Sequence, residues 1–205
     1  TVTAPVISGK VTAADTSKNE TTYTLTSTVN KGLYGTPKAI RFAVWSSNNG
    51  QDDIRWYTAA KQSNGSYTAK VPVSNHKDSG KYFVHTYATL PDGSNGFVAD
   101  TTFTVTKPTV TATTGAYNSG SGTFDVIIKG SSISGIDKVR VPVWSKANQS
   151  DIKWYDAVKQ SNGTYKVTVN KKNHSNNTGK YTVHAYVYSK NGVTASVAAQ
   201  PVTVK

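Results

Sequence analysis

Asp78-Ser79-Gly80-Lys81-Tyr82-Phe83-Val84-His85-Thr86-Tyr87 and Asn177-Thr178-Gly179-Lys180-Tyr181-Thr182-Val183-His184-Ala185-Tyr186 are two versions of one segment, and they decide the fold. After the glycine the side chains alternate. Tyr82, Val84 and Thr86 share one face, and Phe83, His85 and Tyr87 share the other, which is the two-residue period of a half-buried strand. The second version shows which face is inner: Tyr181, Val183, Ala185 and Val187 form the apolar set, so His184, Tyr186 and Tyr188 point outward. The correspondence extends along the whole chain at an offset of 98 to 99 residues. Ile40-Arg41-Phe42-Ala43-Val44-Trp45-Ser46 returns as Val139-Arg140-Val141-Pro142-Val143-Trp144-Ser145, and Asp53-Ile54-Arg55-Trp56-Tyr57 as Asp151-Ile152-Lys153-Trp154-Tyr155. Lys61-Gln62-Ser63-Asn64-Gly65 and Asn75-His76 return as Lys159-Gln160-Ser161-Asn162-Gly163 and Asn173-His174. Self-similarity at this length marks tandem domains.

Each copy reads as about seven short strands, in the first near 3–12, 21–29, 38–46, 53–61, 66–73, 80–89 and 97–105. Asn64-Gly65 and Asn162-Gly163 lie between alternating runs and predict two-residue hairpins with positive φ at both residues. Asp92-Gly93 and Asn191-Gly192 mark a second hairpin in each copy. The segment opening at Asp78 resembles the start of strand F in immunoglobulin domains, where a tyrosine corner precedes a core cysteine; Val84 and Val183 stand in the cysteine's place. The second copy has Asn176-Asn177-Thr178 in place of the aspartate region. The expected architecture is therefore all-β: two tandem Ig-like antiparallel β-sandwiches, residues 1–106 and 107–205, joined through Val105-Thr106-Lys107-Pro108-Thr109. Proline at so short a junction predicts copies strung end to end in a limited range of orientations.

Composition agrees. Leucine occurs only at positions 25, 33 and 90, while β-branched residues and tyrosine abound, as suits pleated sheet. With no cysteine, disulfides and thiolate chemistry are excluded. No apolar run approaches the roughly 20 residues of a membrane-spanning helix. The chain begins at Thr1 and contains no methionine, which reads as a processed or excised segment whose targeting signals lie elsewhere. The net charge is +12, divided as +4 (11 basic, 7 acidic) over residues 1–107 and +8 (12 basic, 4 acidic) over 108–205. Such an excess attracts polyanions, for which teichoic acids, nucleic acid and acidic membrane surfaces all qualify, or serves solubility alone. The basic residues are scattered, and no nucleic-acid-binding motif accompanies them, so nucleic acid is not the expected partner.

The combination of a strand ending in Val-Trp-Ser, the Asp-Ile-Arg-Trp-Tyr segment, the Gln-Ser-Asn-Gly hairpin and the Asn-His…Gly-Lys-Tyr…His…Tyr strand resembles the group B streptococcal Bsp-like repeat family. Both copies carry it. The resemblance implies a non-catalytic, wall-associated repeat of an exported protein, often accompanied by peptidoglycan-cleaving domains, and it brings no catalytic residues or cofactor with it.

The candidate binding residues are outward aromatic and basic side chains. If the strands near 40 and 85 are neighbours, Arg41, Trp45, His85 and Tyr87 form one patch, and Arg140, Trp144, His184 and Tyr186 its counterpart. Flat aromatics beside hydrogen-bonding groups suit sugar rings. The competing expectation is that Trp45 and Trp144 are covered by a loop or an adjoining repeat. Of the pairs Trp56-Tyr57 and Trp154-Tyr155, the tryptophans are expected in the core and Tyr57 and Tyr155 on the binding face. Asp53 and Asp151 are expected in turn or salt-bridge roles, and His76 and His174 as loop residues, structural or merely solvated. Glycoside hydrolysis needs two carboxylates, and of the carboxylates only Asp53 and Asp151 clearly recur between the copies. No metal site, cofactor site or catalytic motif is expected. With the secreted, cell-wall or cell-surface location that the resemblance implies, the expected partner of the chain, read as a monomer, is a wall glycopolymer: polysaccharide, teichoic acid or peptidoglycan glycan. A structural spacer or host-facing adhesin repeat is the alternative.

Overall fold

Strands follow the alternating segments closely. The computed structural model describes residues 7–205, which form two units that divide between Thr106 and Lys107. In chain order the first unit contains β1 (Ser8–Asp15), β2 (Thr22–Asn30), β3 (Ala39–Ser46), β4 (Arg55–Thr58), β5 (Ala60–Lys61), β6 (Tyr67–Pro72), β7 (Gly80–Thr89) and β8 (Asn95–Val105). Two antiparallel sheets result, ordered β1-β2-β6-β5 and β4-β3-β7-β8. The second unit repeats them with β9 (Thr109–Thr114), β10 (Thr123–Ser131), β11 (Ile136–Trp144), β12 (Lys153–Asp156), β13 (Val158–Lys159), β14 (Tyr165–Asn170), β15 (Gly179–Ser189), β16 (Thr194–Ala198) and β17 (Val202–Val204). Its sheets run β13-β14-β10-β9 and β12-β11-β15-β16, with β17 also paired to β15. Both units are Ig-like sandwiches.

Between the sheets of the first unit lie Leu25, Ile40, Phe42, Val44, Val71, Tyr82 and Val84, all inaccessible to solvent. In the second, Val126, Ile128, Val141, Val143, Tyr181, Val183, Ala185 and Val187 do the same. The valines in the cysteine position are thus core residues of both units. The tyrosine corner is also present. Tyr82 donates its hydroxyl to the Asp78 carbonyl at 2.9 Å, and Tyr181 to that of Asn177 at 2.9 Å. A buried phenol needs such a partner, and the backbone four residues back supplies one.

Three expectations need correction. The strand placed at 3–12 is observed at Ser8–Asp15; its first residues lie outside the described ones. The strand placed at 53–61 is two short pieces. β4 pairs with β3, the Ala59 amide still donates to Ile40 at 2.9 Å, and β5 then joins β6 in the opposite sheet. The chain turns the corner of the sandwich there. Finally, the Asn-Gly hairpins are three-residue loops. Gln62 and Ser66 close the loop at 2.8 Å, and only Gly65 (φ +84) and Gly163 (φ +82) are left-handed, the asparagines not being so. This is a type I turn followed by a left-handed glycine. The Asn64 side-chain Oδ1 accepts from the Ser66 amide at 3.0 Å and hydroxyl at 2.7 Å, which holds the three-residue loop.

Candidate functional site

The outer face of the β4-β3-β7-β8 sheet carries most of the exposed aromatic surface. The β3–β7 register sets Trp45 opposite Phe83, Ala43 opposite His85 and Arg41 opposite Tyr87. β4 brings Trp56 opposite Ala43, and β8 brings Phe97 opposite Tyr87. Opposed residues of antiparallel strands project to the same side, so these groups meet on one surface. Trp45 stacks on Phe83 (5.5 Å between ring centroids) and meets the edge of His85 (4.7 Å). Phe97 touches His85 (5.5 Å) and Tyr87 (5.8 Å), and Trp56 leans on Tyr87 at 5.5 Å. The Arg41 guanidinium covers the Trp56 ring at 4.9 Å. Arg41, Trp56 and Tyr87 line a cleft of about 320 Å³ with Thr89 and Asn95. The second unit repeats the scheme: Trp144 with His184 at 4.9 Å, Trp154 with Tyr186 at 5.3 Å, and Arg140 over Trp154 at 5.2 Å.

The structure therefore joins Arg41, His85 and Tyr87 on one face, and Arg140, His184 and Tyr186 on the other unit's face. Trp45 and Trp144 fare differently from the open-platform expectation. Trp45 is only 8% exposed, roofed by Phe83 and His85 on its own sheet. Trp144 is half-buried, with Thr182 in the place of Phe83. The Trp-Tyr pairs are reversed. Trp56 is 49% and Trp154 41% exposed, while Tyr57 and Tyr155 turn inward. Tyr57 and Tyr155 thus do not reach the outer face. The cause is non-local. The inward tyrosine hydroxyl finds a buried histidine, Tyr57 with His76 Nε2 at 3.0 Å and Tyr155 with His174 Nε2 at 2.8 Å. The phenol oxygen also accepts from Asn75 Nδ2 at 3.2 Å in the first unit and from Asn173 Nδ2 at 3.4 Å in the second, which a donor-only indole N–H could not do. Adjacent aromatics look interchangeable until that distant histidine is placed.

The histidines are not solvated loop residues. The His76 side chain is fully buried, with Nδ1 3.0 Å from Asp53 Oδ2. His174 Nδ1 lies 3.1 Å from the Asp151 carbonyl. Burial lowers the pKa of both imidazoles, against the pull of Asp53 and Asp151. The aspartates also hold the turn after β3 and β11: Ser46 N donates to Asp53 at 2.9 Å and Ser145 N to Asp151 at 3.0 Å. The Asp-His-Tyr chain is a bracket between that turn, the corner strand and the tyrosine corner.

Among solved structures, the chain is similar to a tetra-tandem repeat from the extending region of a large adhesion protein, at 19% identity and a TM-score of 0.42. That match covers 97% of this chain and 50% of the other, so the chain spans about half its length. A polysaccharide deacetylase from Bacillus cereus matches at 11% identity and a TM-score of 0.40, over 52% of this chain and 31% of its own. A 1.5-MDa bacterial ice-binding adhesin matches at 18% identity and a TM-score of 0.36, over 99% and 66%. No curated protein sequence matches the chain. The GBS Bsp-like repeat matches residues 12–103 and again 113–202. Both stretches contain the outer aromatic face and the buried bracket, and the chain belongs to the GBS Bsp-like repeat family as two tandem copies.

Proposed function

We propose that both repeats are non-catalytic glycan-binding modules that retain an exported bacterial protein at the cell wall, as in a peptidoglycan hydrolase whose catalytic domain is separate. The observation that carries this reading is the exposure of Trp56 and Trp154, each with an arginine over its ring and a tyrosine tilted against it. Tryptophan is ordinarily well buried, and a large aromatic patch left open marks an interaction surface. A pyranose ring packs its C–H face on an indole, and Arg41, Thr89 and Asn95, which line the cleft with Trp56, offer polar partners for its hydroxyls. Two modest sites in one chain reinforce each other through effective concentration. The net charge of +12 adds attraction to phosphate-bearing wall polymers.

Co-sedimentation of the chain with purified walls tests this, before and after the walls are stripped of polysaccharide and teichoic acid. Retention should survive moderate salt, disappear on stripping, and be lost in the Trp56→Ala, Trp154→Ala double variant while its circular dichroism stays that of the parent. Equal retention of parent and variant would refute the role of this face. No retention of the parent would leave a spacer or a host-facing adhesin repeat.

A further inference from the structure

The two outer faces differ where they would touch a ligand. Arg140 Nε pairs with Asp156 Oδ1 at 2.9 Å. The residue opposite Arg41 in the equivalent register position is Thr58, so the first arginine has no such carboxylate. Asp137, which lines the same cleft as Arg140, corresponds to Lys38 in the first copy. On the first unit's outer face the carboxylate in register is Asp100, opposite His85 and on the far strand β8. The clefts differ as well. Thr89 and Asn95, whose side chains hydrogen-bond each other at 2.9 Å, border the first. Their counterparts are Tyr188 and Thr194. Tyr188 stacks with Tyr186 at 6.4 Å and carries Lys138 Nζ 5.3 Å above its ring. A tyrosine thus extends the aromatic surface where the first copy keeps a polar border.

We propose that the first repeat's cleft is an anion-selective sugar site and the second repeat's face is a neutral platform, a division that rests on the glycan-binding reading. In the first, a pyranose ring lies on Trp56 and its negatively charged substituent meets the uncompensated guanidinium of Arg41. A guanidinium takes a carboxylate or a phosphate oxygen equally well through paired N–H donors. In the second, Arg140 is already engaged by Asp156, and an incoming anion would be repelled by that carboxylate. Overall charge runs the other way, since the second half of the chain is the more basic. Selectivity is therefore a property of the cleft and not of the general field.

The test is an NMR titration of the 205-residue chain, following the four indole N–H signals assigned by single Trp→Phe variants. The probes are a galacturonate tetramer, a glycerol-phosphate tetramer and an uncharged galactose tetramer, each at about 0.15 M salt, where long-range attraction is screened. The Trp56 signal should respond to the galacturonate tetramer at a concentration about five-fold lower than to the galactose tetramer. Response to galacturonate alone assigns a sugar carboxylate, and response to both anions a site open to phosphate as well; either upholds the proposal, whereas response to glycerol phosphate alone, which has no pyranose ring, would overturn the sugar site. Trp154 should show no such preference. Thr58→Asp should abolish the preference of Trp56, and Asp156→Thr should create one at Trp154; signal dispersion reports that both variants are folded. Equal response of Trp56 to neutral and anionic probes, or a preference that survives Arg41→Gln, would overturn the charge division and leave glycan binding standing. Silence of both Trp56 and Trp154 towards all three probes would overturn both readings together.

Discussion

Replacing Asp151 by asparagine should unfold the second unit's bracket at a cost that can be worked from its contacts. The side chain is 8% exposed. Its oxygens accept from Ser145 N at 3.0 Å, Ser145 Oγ at 2.6 Å, Lys146 N at 3.0 Å and Asn177 Nδ2 at 3.4 Å. Burial pushes its pKa up, but those donors outweigh burial and hold it at about 2, below the ordinary 3.8. A displacement of that size corresponds to about 2 kcal/mol of stability. The group's folded pKa is depressed, so this stability is fully present above pH ~4 and is lost as pH falls towards 2. Asparagine keeps one acceptor oxygen and turns an NH2 group towards donors, so Asp151→Asn should cost about 2 kcal/mol at pH 7. For a unit of this size that lowers Tm by roughly 8–16 °C. Scanning calorimetry of parent and variant at pH 7 and at steps from pH 5 to 2 would measure it. The two should converge as the parent's carboxylate is protonated. A variant within ~0.5 kcal/mol of the parent at pH 7, or one whose stability falls as steeply between pH 4 and 2, would refute the reasoning.

Three further outcomes follow from other contacts. Tyr82→Phe removes the hydroxyl bonded to the Asp78 carbonyl and should cost about 1 kcal/mol, read as a lower midpoint in urea at unchanged slope. Gly130→Ala would place a methyl group 2.8 Å from Val187 Cγ2 and 3.1 Å from the Thr109 carbonyl, so thermal melting should show a loss of ~1–3 kcal/mol. Because burial depresses the pKa of His76 and His174 below 6.5, the unfolded chain binds more protons below that value and stability should decline as pH drops from 7 to 5. Urea midpoints of the His76→Gln, His174→Gln double variant should show a flatter dependence over that range, and an unchanged slope would place the titration elsewhere.

The repeat, the sheet class and the core face of β7 and β15 were legible because they depend on local alternation and on comparing two copies of one pattern. A strand with one buried face must place every second residue inward, and the second copy's Ala185 and Val187 removed the ambiguity left by Thr86 and Tyr87. Turn geometry was less accessible. Asn64-Gly65 signals a hairpin, yet the hydrogen bonds of the Asn64 side chain, made in three dimensions, select the three-residue form.

The site divides along the same line. Arg41, His85 and Tyr87 could be placed together from strand period alone once β3 and β7 were taken as neighbours. Which of Trp56 and Tyr57 faces out could not, since both are large and amphipathic and occupy a four-residue strand at a sandwich corner. His76, 19 residues on, makes that decision by offering a buried partner that suits a phenol. The sequence by itself determined two all-β sandwiches with an aromatic, basic sheet face. Only the tertiary structure decided that Trp56 and Trp154 are the open rings, that Trp45 is roofed, and that Asp156 engages one arginine while the other has Thr58, not a carboxylate, opposite it. Strand periodicity is written into consecutive residues, whereas exposure and charge compensation depend on which strands become neighbours.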